Sequence, residues 1–276
     1  MLMTSPDKNM NLNALTIDVE EWYQTVFFNK AGYKNDMVTD LPQNINEILK
    51  MLEGYDIKAT FFIVGLVAQK YPDLVRKIKD QGHEIGSHGY SHNLIYELSK
   101  EQFKDEVKRS IDILEEIIKD KVIGYRASTW SITSRMIWAI DVLESAGFKY
   151  DSSIYPKTFD FKGSNKRFPY EIKKGFIEFP PSTSRFLMLN YPFAGGVFMR
   201  FYPQRCAYNG ISKINKIGLP ALIYFHSWEF SNDQSLSGIP AWKRFVQYGN
   251  IGSIKKKLDF LFKNYKFCPM RQILGL

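Results

Sequence analysis

Residues 82–92 read Gly82-His83-Glu84-Ile85-Gly86-Ser87-His88-Gly89-Tyr90-Ser91-His92, and three of the four histidines of the chain lie in them. Glu84 to Ser87 has the length of a short buried strand, and it runs straight into a histidine followed by glycine. Parallel α/β barrels gather their working residues at the carboxyl ends of the strands, so this strand would deliver His88 to the barrel mouth. His88 and His92 stand four residues apart. On a single helical turn both imidazoles would share one face and could share one metal ion. His83 precedes the strand, at the opposite end, and is read as a hydrogen-bonding residue of the scaffold.

On either side of this stretch, short apolar runs alternate with segments of helical period, the pattern of βα units around a parallel sheet. The predicted strands are Ala14 to Val19, Ala59 to Val64, Glu84 to Ser87, Val122 to Tyr125, Phe176 to Phe179 and Ala221 to His226. Helices are predicted at 43–53, 66–80, 99–119, 134–146, 204–216 and 253–264. The clearest, 99–119, opens with the capping-box pattern Ser99-x-x-Gln102 and repeats apolar residues at Phe103, Val107, Ile111, Leu114 and Ile118. Gly54, Gly82, Gly147 and Gly218 fall where left-handed closing residues are wanted. Residues 155–203 break the rhythm with six prolines and the pair Gly195-Gly196, and read as an irregular, β-rich insertion. The expectation is one α/β domain over residues 1–276, a distorted (β/α) barrel carrying that insertion.

The 276 residues carry 37 Lys plus Arg against 29 Asp plus Glu, a net charge of +8, and their 45% hydrophobic content argues for a folded globular chain. The basic residues are scattered, which favours a solvated surface over a nucleic-acid site. Cys206 and Cys268 are too few for a disulfide framework and read as reduced thiols. Met1 to Leu15 lacks the apolar stretch of a secretory signal, and a cytoplasmic location is expected. Lys255, Lys256, Lys257, Lys263 and Lys266 interleave with Leu258, Phe260, Leu261 and Phe262 as an amphipathic helix, with peripheral contact to the inner membrane face as a secondary reading.

The chemistry-bearing residues converge on predicted strand ends. Asp18 and Glu20, one residue apart at the end of the first strand, can both face the mouth, where a cation or Arg126 would relieve their repulsion. Arg126 follows the strand 122–125 and can hold a carboxylate by paired hydrogen bonds. His226 ends the late apolar run 219–225, placed for acid–base work. No G-x-S-x-G or G-x-x-x-x-G-K-[ST] occurs, so neither serine-nucleophile nor phosphate-loop chemistry is indicated.

Six stretches in order, Thr16–Glu20, Ala59–Gly65, Gly82–His92, Tyr125–Ser128, Tyr150–Pro156 and Tyr224–Glu229, resemble the polysaccharide deacetylases of the NodB-homology type, carbohydrate esterase family 4. Phe179–Ser182, Ala194–Gly196 and Pro269–Arg271 resemble the subgroup associated with exopolysaccharide gene clusters. The resemblance implies metal-dependent removal of an N-acetyl or O-acetyl group from a sugar. It implies Asp18 as general base, Glu20, His88 and His92 as metal ligands, and His226 as general acid. Arg126 would orient Asp18, and Asp151 would brace His226 or Arg126. The implied cofactor is a divalent cation, Zn²⁺ first, with Co²⁺, Ni²⁺ or Fe²⁺ as alternatives. Trp22, Tyr23, Ser128, Trp130 and Trp228 are the candidate substrate contacts, the loop from Ser128 to Trp130 also being where an oxyanion-binding N–H is sought. The implied partner is an acetylated amino-sugar glycan or a lipid- or nucleotide-linked sugar. A catalytically inactive sugar-binding barrel and a metal-dependent amidase on a small substrate stand as alternatives. Two departures mark this chain: Val19 separates the two acids of the opening motif, and Ser128 stands where a proline is usual.

Overall fold

The computed structural model describes residues 12–25, 28, 39–156, 166–186, 189–231 and 240–276. At its centre lies β1 (Leu12–Val19), buried over its last seven residues. β1 pairs in parallel with β2 (Thr60–Ile63), with β10 (Leu222–His226) and, at its start, with β11 (Lys266–Cys268). From β2 the sheet continues through β3 (Glu84–Ser87), β4 (Gly124–Tyr125), β5 (Tyr150–Asp151) and β7 (Phe176–Glu178), all parallel, and ends on β6 (Tyr170–Lys173), which is antiparallel to β7. Strands covered on both faces need continuous apolar character, and Thr60-Phe-Phe-Ile63 and Leu222-Ile-Tyr-Phe225 have it. The sheet curls as an open, distorted (β/α) barrel. Between β7 and β10 the gap is spanned by loop backbone: Leu222 N–H donates to Ser182 Oγ at 2.8 Å and Tyr224 N–H to the Ala194 carbonyl at 2.9 Å.

The covering helices are α1 (Leu41–Gly54), α2 (Gly65–Lys70), α3 (Pro72–Asp80), α4 (Lys100–Ile118), α5 (Trp138–Ser145), α6 (Gly196–Phe201), α7 (Gln204–Asn215), α8 (Ala241–Tyr248), α9 (Ser253–Asn264) and α10 (Met270–Leu274). The single helix expected over 66–80 is two, because Pro72 has no N–H to continue the ladder and opens α3 instead. Ser99 and Gln102 form the expected capping box of α4. Gly82, Gly147 and Gly218 take positive φ, whereas Gly54 ends α1 without it, Asp56 making that reversal at φ 52°.

Within 155–203, β7 belongs to the main sheet itself, while β8 (Thr183–Phe186) and β9 (Leu189–Pro192) form a separate hairpin. Residues 157–165 and 187–188 of that segment lie outside the described residues. The lipid-facing reading of 253–264 is corrected: Ile254, Leu258, Leu261 and Phe262 are buried in the core, Lys255 pairs with Glu47, and Lys257 donates to the carbonyls of Met199, Arg200 and Tyr202. The apolar face is used up by packing. Cys206 and Cys268 are both free thiols. Among the described residues, no helix is long and apolar enough to cross a membrane.

Candidate metal centre and its cleft

Side chains two apart on an extended chain share a face, and Val19 between Asp18 and Glu20 points into the core, so both acids enter the barrel mouth. Strand register sets Asp18 opposite His226 on the neighbouring β10. His88 follows β3 and Arg126 follows β4, at the same end. Gly86, within β3, is required by close packing: a Cβ there would lie 2.6 Å from the Phe62 ring.

The link from His88 to His92 is not the expected helical turn. Gly89 and His92 are both left-handed, at φ 74° and 62°, and the loop is tied down from outside. Gly65 and Leu66 N–H donate to the carbonyls of Gly89 and Tyr90 at 2.9 Å each, and Ser91 donates through N–H and Oγ to the Glu106 carboxylate. The outcome is still a shared site, the two imidazole centroids lying 4.9 Å apart. A left-handed non-glycine residue is costly and persists where the surroundings over-determine it, as at a ligand clamp.

One donor atom from each of Glu20, His88 and His92 lies within 4.8 Å of the others. His88 Nδ1 meets the Arg126 carbonyl at 2.7 Å and His92 Nδ1 meets the Gln24 carbonyl at 2.8 Å. A carbonyl only accepts, so both rings carry a proton on Nδ1 and present Nε2 toward Glu20, the nitrogen that offers its lone pair to a cation once it is deprotonated. Glu20 Oε2 touches His92 Nε2 and stands 3.9 Å from His88 Nε2. Trp228 Nε1–H donates to Glu20 Oε1 at 2.9 Å. Burial pushes the Glu20 carboxyl up, but His92, His226 and His88 outweigh it and hold it far below the usual carboxylate range. Burial pulls the His88 imidazole down to about 4. Two imidazoles fixed in tautomer by outer carbonyls, with one carboxylate, fit a divalent transition metal such as Zn²⁺ with a position left for water.

Arg126 is 1% exposed and grips the neighbouring acid. Its Nη1 donates to Asp18 Oδ1 at 2.7 Å and to Thr16 Oγ1 at 2.8 Å, and its Nη2 donates to Ser152 Oγ at 3.0 Å. The guanidinium lies between the rings of Phe62 and Trp130. On the far side, His226 stacks on Trp228 with centroids 4.8 Å apart, its Nδ1 3.1 Å from Glu229 Oε2. Glu229 is held in turn by an ion pair with Arg200 Nε at 3.0 Å. Burial lowers the His226 pKa, but the Glu229 carboxylate, then Glu20 and Asp18, push it up to about 9.

Asp151 does not take the place expected of it. It is fully buried, bonded to Ser153 and facing Glu178, and Arg126 acts on it only through charge. The brace of His226 is Glu229, three residues on, whose carboxylate also accepts the His226 N–H. The aromatic candidates divide. Trp130 and Trp228 line the cleft, whereas Trp22 and Tyr23 pack with Phe28, Tyr248 and Ile251 in an apolar cluster that includes the body of Trp228. Ser128 does not line the cleft; its Oγ donates to the Asn93 carbonyl at 2.6 Å. The next two residues, Thr129 and Trp130, are left-handed at φ 54° and 55° and do form the wall. The cleft holds about 420 Å³, within the range of small-ligand sites. Sequence reading missed the ligand-orienting indole of Trp228 and the pair Glu229–Arg200; the i, i+3 spacing of His226 and Glu229 was the available signal.

Fold and site define an open (β/α) barrel with a buried carboxylate–bis-imidazole cluster at the carboxyl ends of its strands. Residues 30–150 match the polysaccharide deacetylase family, and residues 152–275 match a domain of unknown function, DUF3473. Over residues 30–150 the chain is thus similar to the polysaccharide deacetylases. A peptidoglycan deacetylase of Helicobacter pylori is 28% identical over 48% of this chain and 41% of its own length. A peptidoglycan-N-acetylglucosamine deacetylase of Bacillus cereus is 34% identical over 29% of this chain and 27% of its own. The chain thus spans less than half the length of these curated relatives. Among solved structures, one from Mycobacterium smegmatis, assigned to the polysaccharide deacetylases, superposes with a TM-score of 0.65 at 21% identity, covering 99% of this chain and 92% of that one. A Bacillus anthracis pseudoenzyme of the CE4 family superposes with a TM-score of 0.52 at 15% identity, over 96% of this chain and 66% of that one. The fold alone therefore does not establish activity.

Proposed function

We propose that this protein is an active, metal-dependent hydrolase that removes the acetyl group from an N-acetylated amino sugar within a glycan or a glycan precursor. The observation that carries the reading is the three-donor cluster of Glu20, His88 and His92, flanked by Asp18 on one side and His226 on the other within one cleft. Glu20, His88 and His92 would hold the cation, Zn²⁺ by its donor chemistry, which when bound supplies Lewis-acid polarisation of the acetyl carbonyl and a more acidic water.

Asp18, oriented by Arg126, takes a proton from the water as its oxygen adds to the acetyl carbon. A main-chain N–H at Thr129, in the left-handed loop that lines the cleft, would serve the developing oxyanion. As the C–N bond breaks, His226, braced through Nδ1 by Glu229, passes a proton from Nε2 to the departing amine. Acetate and a free amino sugar leave. Trp130 offers an aromatic face to the apolar side of a sugar ring. The motifs shared with exopolysaccharide-associated relatives favour a glycan made for export, presented on a lipid or nucleotide carrier, with this chain working on the cytoplasmic side.

The test is release of acetate and free amine in equal amounts from N-acetylglucosamine oligomers and from a nucleotide-linked N-acetylhexosamine. Chelator-treated protein should be inactive and recover with Zn²⁺. Protein loaded in turn with Zn²⁺, Co²⁺, Ni²⁺ and Fe²⁺ that releases acetate from neither substrate would refute the reading in favour of an inactive sugar-binding barrel.

A further inference from the structure

We infer that the rim formed by α6 and α8 is a docking surface for an anionic lipid bilayer, which sets the mouth of the cleft against the membrane. Phe198, Phe201 and Tyr202 on and after α6, and Trp242 and Phe245 on α8, are between 37% and 61% exposed. Phe198 and Phe201 are three residues apart on α6, as Trp242 and Phe245 are on α8; the rings of Phe201 and Phe245 lie 5.2 Å apart across the two helices and those of Phe198 and Tyr202 lie 5.8 Å apart. The patch is a fixed feature of the fold. Arg200, 1% exposed, sends its guanidinium from α6 to the carbonyls of Val246, Gln247 and Gly249 at the end of α8, locking the two helices together. Phe198 also lines the cleft, so the patch runs on from its edge.

Charge selects the occupant. Residues 196–228 and 240–258 contain no Asp or Glu, while exposed Arg205 stands three residues after Tyr202 in the chain, and half-buried Lys243 and exposed Arg244 stand between Trp242 and Phe245. Protruding Phe, Trp and Tyr with neighbouring Lys and Arg are the composition of an interfacial membrane anchor, the rings entering the headgroup boundary and the cations meeting anionic lipid. A sugar chain would be served by polar partners between the rings, which phenylalanines do not offer. A second copy of this chain across a two-fold axis would bring this basic rim against itself. The orientation of the cleft toward a lipid-held substrate rests on the deacetylase reading. The binding does not, so the two fail separately.

The test is co-sedimentation of the full chain with phosphatidylcholine vesicles, with and without phosphatidylglycerol, at low and high salt. The wild type should bind the anionic vesicles and be released by salt. F201S/F245S should keep its melting temperature and its activity on soluble substrate while its vesicle-bound to free ratio falls about tenfold. R205E/R244E should lose the preference for phosphatidylglycerol. Wild type that stays in the supernatant with anionic vesicles, or both variants binding like wild type, would overturn the inference. So would patch variants that dissociate a wild-type dimer, or that weaken binding of soluble N-acetylglucosamine oligomers while sedimenting with vesicles as before.

Discussion

His88 and Arg126 are joined by one hydrogen bond, from the imidazole Nδ1–H to the arginine carbonyl at 2.7 Å, and the side chain of that same arginine holds Asp18 at 2.7 Å. One residue at the end of β4 thus fixes a metal-ligating imidazole through its backbone and the proposed base through its guanidinium. The two groups therefore share one mechanical reference.

Removal of the Arg126 side chain would leave Asp18, whose side chain is 5% exposed, as a buried charge without its cation. Arg126→Ala is expected to cost about 3–5 kcal/mol of stability, measured by urea unfolding. Arg126→Lys keeps the charge but not the fork that reaches Thr16, Asp18 and Ser152 together, and should be intermediate. A loss under about 1 kcal/mol for the alanine variant would contradict the buried-pair account.

Trp228→Phe removes the indole N–H from Glu20 Oε1 and leaves an aromatic ring against His226. Partners that orient metal ligands are typically worth about 10–100-fold in affinity, and a drop of that order is expected in competition with a chromophoric chelator. Unchanged affinity would mean that the indole only packs.

Glu229→Gln keeps the shape beside His226 and removes the charge that braces it. The turnover number should fall about 10²-fold, with the KM for a soluble substrate little changed, since general-acid assistance acts in the transition state. A rise in KM at constant turnover would place Glu229 in substrate binding instead.

Asp151 and Glu178 face each other without exposure; burial pushes Asp151 up to about 6 even though a hydrogen bond from Glu178 pulls it down, and burial together with the Asp151 charge pushes Glu178 well above the usual carboxyl range. The folded pair keeps a proton that the unfolded chain, with ordinary carboxyl values near 4, gives up. The contribution of this pair to stability should therefore be full below about pH 4 and be lost as pH rises from there through about 6, by at most about 1.4 kcal/mol per pH unit per proton. Glu178→Gln mimics the protonated partner and should flatten that slope and raise stability at pH 8 above wild type, read by urea titrations across the range. A wild-type slope that survives in Glu178→Gln would contradict the shared proton.

Much of this arrangement was legible because it is local. The apolar runs ending in Asp18, His88, Arg126 and His226 announce strands that stop where chemistry begins, and Glu84–Ser87 and Ser253–Asn264 are bounded as the sequence suggests. Relations made by tertiary packing were not legible. β5 and β11 are too short for any periodicity, and Asp151 looks available until Glu178 is brought against it by strand pairing. The Gly89–His92 loop has helical spacing but is held open by bonds from Gly65, Leu66 and Glu106. The lysine-rich α9 carries an amphipathic pattern that serves the core.

The most direct measurement is the metal content of purified variants after equilibration with limiting Zn²⁺. One equivalent in wild type and in His226→Ala, with its loss in His88→Ala and in His92→Ala, is the result this account requires. Wild-type stoichiometry retained in both single-ligand variants, or no stoichiometric metal in the wild type, would contradict it.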